Sequence, residues 1–294
     1  MARALAEDLE VALDATPEAR RAADVTATAT IPADLPGEAE LIARADGVVA
    51  GTALVALTFA AVDPAIEVAL EVADGDLVTR GQVLGRVTGP LASVLAGERT
   101  ALNFLTHLSG VATRTRAFAV AVAGTGCVVR DTRKTTPGLR LLEKAAVRAG
   151  GGVNHRVGLA DALLVKDNHI AAAGGVAAAT RRALDRSGGR HVQVEVASLA
   201  ELDAAVDAGA RDVLLDNFTP EGCAAAVAHL ASRRPPGGVL LEASGTIRID
   251  TVAAYAATGV DRVAVGALTH SAPQLDIALD VRAVTRDAPN DLEA

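Results

Sequence analysis

The sequence predicts an α/β chain whose C-terminal part is a parallel sheet rolled into a closed or nearly closed barrel. Three observations carry this. After Gly124, short apolar strands alternate with helix-length segments every 20–30 residues or so, the rhythm of βα units. None of the first strands is followed by the glycine fingerprint that opens a dinucleotide-binding fold. The strands also end again and again in charged residues, as they do at the active rim of a barrel. An open doubly wound sheet is the alternative topology.

In chain order, residues 3–14 read as a short amphipathic helix, followed by a region rich in Asp, Thr and Pro up to Gly37. ELIARADGVVAG alternates like a strand and ends in Gly. EVALEVADGDLVTRGQVLGRVTG reads as two strands around the Asp74-Gly75-Asp76 and Arg80-Gly81 turns. Such turns occur in biotinyl and lipoyl carriers, but a carrier needs a lysine to modify and residues 1–133 contain none. Residues 91–121 read as one long helix with a break expected near Gly110, and Leu102, Leu105, Leu108 and Val111 fall at helical spacing. On the same helix Arg99, Asn103 and His107 are four apart and share a polar face.

The repeat then runs as strand 127–131, helix 137–149, strand 161–168, helix 171–186, strand 191–198, helix 199–208, strand 211–218, helix 220–232, strand 238–245, helix 250–257 and strand 261–268. That is six clear strands, with a short seventh near Val153–Arg156.

Composition narrows the function. The chain has 294 residues, enough for two domains of about 150. Its mean hydropathy is +0.31, driven by Ala and Val, yet no uninterrupted apolar stretch is long enough for a membrane span. The first residues, MARALAEDLE, carry acids and no apolar core, so no secretory signal is expected. Cys127 and Cys223 are too few for a disulfide framework, which fits a reducing cytoplasm. A net charge of −8 and only five aromatic residues argue against nucleic acid.

Against that acidic background stands one basic island. The three lysines of the chain, Lys134, Lys144 and Lys166, lie within 33 residues, and from Arg130 to Lys166 eight Lys/Arg face three acids. A compact positive island in an acidic protein suits a small polyanion. The strand ends agree. Early strands lead to Arg133-Lys134, His155-Arg156 and Lys166, all read as cations, and the next to Glu195 and Asp216. Glu242 precedes Ser244-Gly245-Thr246, and the last strand ends at Gly266-Ala267. Glycines after late barrel strands let backbone N–H groups approach phosphate oxygens. Two carboxylates facing a cationic wall suggest Mg²⁺ shared with a polyphosphate, since no His/Cys set has zinc spacing.

At these residues the chain resembles the quinolinate phosphoribosyltransferase family, the carboxylating nicotinate-nucleotide pyrophosphorylases. The resemblance runs through ERTALNFLTHLSGVATRT (98–115), the long block 131–170 from DTRKTTPG to VKDNHI, VEVASLAELDAA (194–205), VLLDNF (213–218), LEASGTI (241–247) and VGALTHSAPQLDIALD (265–280). It implies transfer of the phosphoribosyl group of phosphoribosyl pyrophosphate to quinolinate with loss of CO₂, dependent on Mg²⁺.

Carried over residue by residue, it implies that Arg99, Arg133, His155, Arg156 and Lys166 hold quinolinate, with Thr132 also in the substrate site. Lys134 and Lys166 would meet the phosphoribosyl donor. Glu195 and Asp216 would face the ribose and Mg²⁺–pyrophosphate, the metal through water. Lys134, Lys166, Glu195 and Asp216 would be the catalytic set. Ser244, Gly245, Thr246, Gly266 and Ala267 would cradle the 5-phosphate, although Gly or Asn is more usual where Thr246 stands. The implied architecture is an N-terminal α/β sandwich-like domain (1–110) completed by the tail 273–294, joined to an open seven-stranded α/β barrel (111–272). Subunits would pair head to tail as homodimers, sometimes hexamers, with Arg99 reaching the neighbour's barrel. A nicotinate-using transferase, or a non-catalytic protein that binds the donor without turnover, are the competing readings.

Overall fold

The computed structural model describes residues 1–32, 35–233 and 237–282. The chain divides into two compact units, Met1–Gly110 with the segment from Pro273 onward, and Val111–Ala272.

In the first unit the strands are β1 (Pro36–Ala43), β2 (Gly47–Val48), β3 (Glu67–Leu70), β4 (Leu77–Val78) and β5 (Val83–Pro90). β1 pairs antiparallel with β5 on one side and with the returning strand Ile277–Val281 on the other, and β3 covers the far edge of β5. The tail 273–294 thus supplies an edge strand of this sheet, and its residues 283–294 lie outside the described ones. The carrier-like stretch survives as β3 to β5, with Gly75 and Gly81 at positive φ in its turns. One face of the sheet packs on the helix Thr52–Val62 and the start of the helix Leu91–Ala121. Leu41, Val55, Phe59, Val87, Val94, Leu102 and Leu105 share one buried core.

The long helix does not break at Gly110. Its glycine has a different cause. A Cβ there would sit 2.0 Å from the carbonyl oxygen of Pro273, where the returning chain crosses the helix backbone. Glycine is required by close approach, not by a kink.

The second unit holds β6 (Val128–Arg130), β7 (Leu163–Val165), β8 (Val192–Val196), β9 (Asp212–Asp216), β10 (Leu240–Ser244) and β11 (Arg262–Ala264). All pair in parallel in the order β6-β11-β10-β9-β8-β7. The strands of this sheet therefore number six among the described residues. The short strand expected near Val153–Arg156 is reduced to one bridge, Arg130 to Val153. Asp131, Lys144 and Asn154 claim the neighbouring groups instead, as described below. Contacts between strands that are not neighbours demonstrate the curl: Arg130 on β6 reaches Glu242 on β10, and His155 beside β6 reaches Gln193 on β8. The sheet is an open α/β barrel, its β6 and β7 edges unpaired with each other.

Helices start where local chemistry dictates. Ser198 and Glu201 form a reciprocal cap at Leu199–Asp207: the Ser198 hydroxyl accepts from the Glu201 N–H and the Glu201 carboxylate from the Ala197 N–H. This ends β8 just beyond Glu195. The helix expected over 171–186 is two, Asp167–Ala173 and Val176–Asp185, parted by Gly174 and Gly175 at positive φ.

Gly110→Ala is expected to destabilise the protein by about 1–3 kcal/mol through overpacking. A urea unfolding midpoint indistinguishable from wild type would contradict the close crossing at Pro273.

Candidate active site

Period-two alternation along parallel strands sorts the site into layers. Gln193 (β8), Asp212 (β9), Glu242 (β10), Arg262 (β11) and Arg130 (β6) bond to one another across the sheet, so they share its inner face. Two or four residues further along each strand, on the same face, stand Glu195, Asp216, Ser244 and Ala264. Glu242, read with the rim from sequence, belongs to the layer beneath, where it pairs with Arg130 and Arg262.

Above that layer is a cavity of about 310 Å³ lined by Thr132, Arg133, Lys134, His155, Arg156, Leu164 and Lys166. Six of these seven are sequence-predicted site residues, and Leu164 was not singled out. The Nε atoms of Arg133 and Arg156 are buried and have no hydrogen-bond partner. Arg156 NH1 donates only to the Ala162 carbonyl, at 3.1 Å. Burial, and then the charge of Arg133, pull the Arg156 guanidinium below its usual range. Two neighbouring guanidiniums with buried, orphaned Nε donors are costly unless an anion completes them. Lys166 stands at the strand-to-helix junction. Its backbone N–H donates to His169 Nδ1 at 3.0 Å and its Nζ pairs with Glu195 at 2.7 Å. A larger cavity, about 570 Å³, opens at the opposite, N-terminal ends of β8 to β10. Its arginines Arg190 and Arg211 are bonded to backbone carbonyls, so it offers no comparable demand for an anion.

The cationic lining is held by a buried scaffold. Asp131 is fully buried: Oδ1 accepts from Lys144 Nζ and from the His155 N–H, both at 2.6 Å, and Oδ2 accepts from Asn154 Nδ2 at 2.7 Å. Lys144 also donates to the His155 carbonyl at 2.9 Å. The segment carrying Thr132–Lys134 is thereby bolted to the segment carrying His155 and Arg156. Lys144, counted from sequence as part of the positive island, is a neutralised strut, and burial lowers its pKa despite Asp131. His155, grouped with the cations, is also corrected. Burial is the main cause holding its pKa below the ordinary range, and its Nδ1 accepts from the Arg156 N–H at 2.7 Å, where a second proton would collide with a donor. Burial and the Nδ1 contact both favour the neutral ring, which leaves the pocket's positive charge to Arg133, Lys134, Arg156 and Lys166.

At the rim, the Asn217 N–H donates to the Ser244 carbonyl at 2.8 Å and its side-chain amide to Asp216 at 2.9 Å. Gly245, at φ +110°, leaves no room for a Cβ, which would lie 2.2 Å from Asn217 Oδ1. Gly266, the residue before the short helix Ala267–His270, lies against Lys134, whose Cδ would be 3.1 Å from an added Cβ. Thr246 stands at φ +48°, a left-handed conformation that suits Gly or Asn better than a β-branched residue. Thus Asp216, Ser244 and Gly245 cluster together, and Lys134 sits with Gly266. Arg99 belongs to the first unit, its side chain 64% exposed and paired only loosely with Glu98 at 3.9 Å. Sequence reasoning missed Asp131, Asn154, Gln193 and Asn217 as parts of the site. Their signal was available in the alternation along β8 and in the side-chain acceptor opening the 131–134 turn.

An open barrel with an anion-hungry cleft and glycine turns at its C-terminal rim defines an enzyme that handles small phosphorylated or carboxylated substrates. The comparisons specify which. The C-terminal domain of quinolinate phosphoribosyl transferase matches residues 111–280, and the N-terminal domain of the same family matches 24–109. The chain belongs to this family. It is 44% identical over 281 residues to the nicotinate-nucleotide pyrophosphorylase [carboxylating] of Mycobacterium leprae, covering 95% of each chain. It is 42% identical over 245 residues to the probable nicotinate-nucleotide pyrophosphorylase [carboxylating] of Bacillus subtilis, covering 83% of each. The solved structure of NadC from Streptococcus pyogenes superposes with a TM-score of 0.85 at 37% identity, over 96% of this chain and 94% of that one.

Lys144→Met removes one partner of a buried pair and leaves Asp131 charged and uncompensated. The variant is expected to lose about 3–5 kcal/mol of stability in chemical denaturation. A loss under about 1 kcal/mol, the range of an exposed pair, would contradict the strut.

Proposed function

We infer that this chain transfers the phosphoribosyl group of phosphoribosyl pyrophosphate to quinolinate, releasing pyrophosphate and CO₂ and forming nicotinate mononucleotide for NAD synthesis. The observation that carries the reading is the pair of guanidiniums Arg133 and Arg156, whose buried Nε atoms have no hydrogen-bond partner, beside Lys166. Quinolinate has two adjacent carboxylates on a flat ring, and planar guanidiniums grip carboxylates through two parallel hydrogen bonds. Nicotinate would leave part of that demand unmet.

The remaining residues take roles around this anchor. Thr132 lines the same cavity. Lys134, lying against Gly266, faces the donor, and the turns Ser244-Gly245-Thr246 and Gly266-Ala267 receive the 5-phosphate on backbone N–H groups. Glu195 and Asp216 face the ribose. The C1–oxygen bond to pyrophosphate breaks as positive charge grows on the sugar, and these two carboxylates stabilise it electrostatically. The pyridine nitrogen then bonds to C1, with Arg133, Arg156 and Lys166 holding the ring in line. Quaternised, the positive ring nitrogen stabilises the electron pair left on the adjacent carbon when CO₂ departs, and a proton from water adds to that carbon to complete the product. No side-chain nucleophile is required.

Glu195 and Asp216 also suit Mg²⁺. Among the described residues no three metal-ligating side chains converge into a cage. Two hard carboxylates match an ion that takes its other ligands from phosphate and water. Bound there, Mg²⁺ would neutralise charge on the departing pyrophosphate. Lys166 and Glu195, paired at 2.7 Å, would then share their charges between both substrates.

The exposed Arg99 fits donation to the barrel of a second subunit in a head-to-tail homodimer, which itself fits assembly into hexamers. No described helix is long and apolar enough to cross a membrane. The two buried free thiols, each pushed up to about 11 by burial, suit a reducing cytoplasm.

Incubation with quinolinate, phosphoribosyl pyrophosphate and Mg²⁺ should yield nicotinate mononucleotide by mass spectrometry, and omitting the metal should abolish it. Lys166→Ala should lower turnover by at least about a hundredfold. Product formed equally well by that variant would defeat the assignment. For Arg99, mixing inactive Arg99→Ala and Lys166→Ala subunits should regenerate activity, because one hybrid site is intact. A mixture that stays inactive after verified subunit exchange counts against donation in trans.

A further inference from the structure

Beneath the cavity, one buried side chain ties the lower layer to a residue above it. Gln193 is 1% exposed in the middle of β8. Its Nε2 donates to Asp212 Oδ1 at 2.8 Å and to Glu242 Oε2 at 3.2 Å. Both are acceptors, so the amide can face them only with its NH₂ end. Its Oε1 therefore faces upward, 2.8 Å from His155 Nε2, and requires that nitrogen to carry the proton. The opposite ring nitrogen reports the same tautomer independently, because Nδ1 accepts from the Arg156 N–H. Asp212 is itself anchored by Arg262 and by His191, the latter at 2.8 Å. The other charged groups around the ring are Glu242, 4.0 Å from Nε2, with Arg130, Lys144 and Asp131.

We propose that Gln193 is a positioning residue for quinolinate: it fixes His155 in one orientation and tautomer, and through the Nδ1 contact fixes the backbone from which the Arg156 guanidinium enters the cavity. The proposal rests on the function inferred above and deepens it. Gln193 touches no substrate. It acts through His155, both of whose ring nitrogens are already occupied within the protein. Ring carbons, together with Leu164, are what His155 presents to a ligand. It forms uncharged wall in a pocket whose remaining lining is largely cationic. A ring free to flip would expose an N–H donor or a lone pair instead and release the Arg156 amide.

Gln193→Met keeps the volume and deletes both sides of the link. Its KM for quinolinate should rise about tenfold, the effect of one lost buried hydrogen bond, while KM for the phosphoribosyl donor changes by no more than about twofold. In a His155→Ala background the same substitution should have almost no further effect, because the residues act in series. Additive effects, or an equal rise in both KM values, would overturn the proposal. Nitrogen-15 NMR of the histidines in the wild-type protein tests it without any fold-perturbing change. His155 should show a protonated Nε2 and a bare Nδ1 at neutral pH, and an Nδ1–H tautomer or an imidazolium would overturn it even where Gln193→Met does not fold. Wild-type turnover is measured alongside, so an inactive wild type counts against the function and leaves the NMR result to decide the positioning role.

Discussion

Two guanidinium groups stand side by side at the mouth of the barrel with buried nitrogens that nothing in the protein satisfies. Such an arrangement opposes folding. Each group has its Nε shut away from water, the two repel each other, and Asp161 offsets only part of the cost at Arg156. It persists because the surrounding structure over-determines it. Asp131, Lys144 and Asn154 fix the two segments that carry Arg133 and Arg156, and the inner layer of Arg130, Glu242, Gln193, Asp212 and Arg262 fixes the floor beneath. The deficit is the binding energy in waiting: an anion with two carboxylates supplies what the fold withholds.

Charge in this barrel is accordingly stratified. The lower layer pairs its acids with its arginines, with Glu242 Oε1 and Arg262 Nε left without a hydrogen bond, and it sets geometry. The upper layer is unbalanced in favour of cations, with Glu195 and Asp216 as its acids. One layer of alternation, two residues along a strand, separates structural charge from chemical charge. That spacing also explains why parallel strands serve such sites well: successive inward residues meet different depths of the same cavity.

Much of this was legible in the sequence. The βα rhythm, the helical spacing of Leu102, Leu105 and Leu108, and the rim residues Lys166, Glu195 and Asp216 follow from periodicity and from what terminates each strand. Other features were not, for physical reasons. Glu242 and Asp216 look alike at a strand end, and only the register of β10 against β9 and β11 puts one in the floor and the other at the rim. Lys144 counts as a cation in any sequence window, and its neutralisation by Asp131 depends on a fold that brings a helix under a turn. Gly110 resembles a helix breaker until the returning chain at Pro273 is seen crossing it. The seventh strand dwindled to one bridge because the residues following Val153 are held by side-chain acceptors and not by a neighbouring ladder.

The central claim is that the cavity demands a dianion. Calorimetric titration of the protein with quinolinate and with nicotinate, in the same buffer and salt, addresses it directly. The account predicts that quinolinate binds at least about tenfold more tightly, the difference expected when a charge-assisted contact is lost. It also predicts that Arg156→Lys narrows the gap, because an ammonium cannot reproduce the bidentate grip. Equal affinity for the two acids, with the gap absent in both wild type and variant, would contradict it.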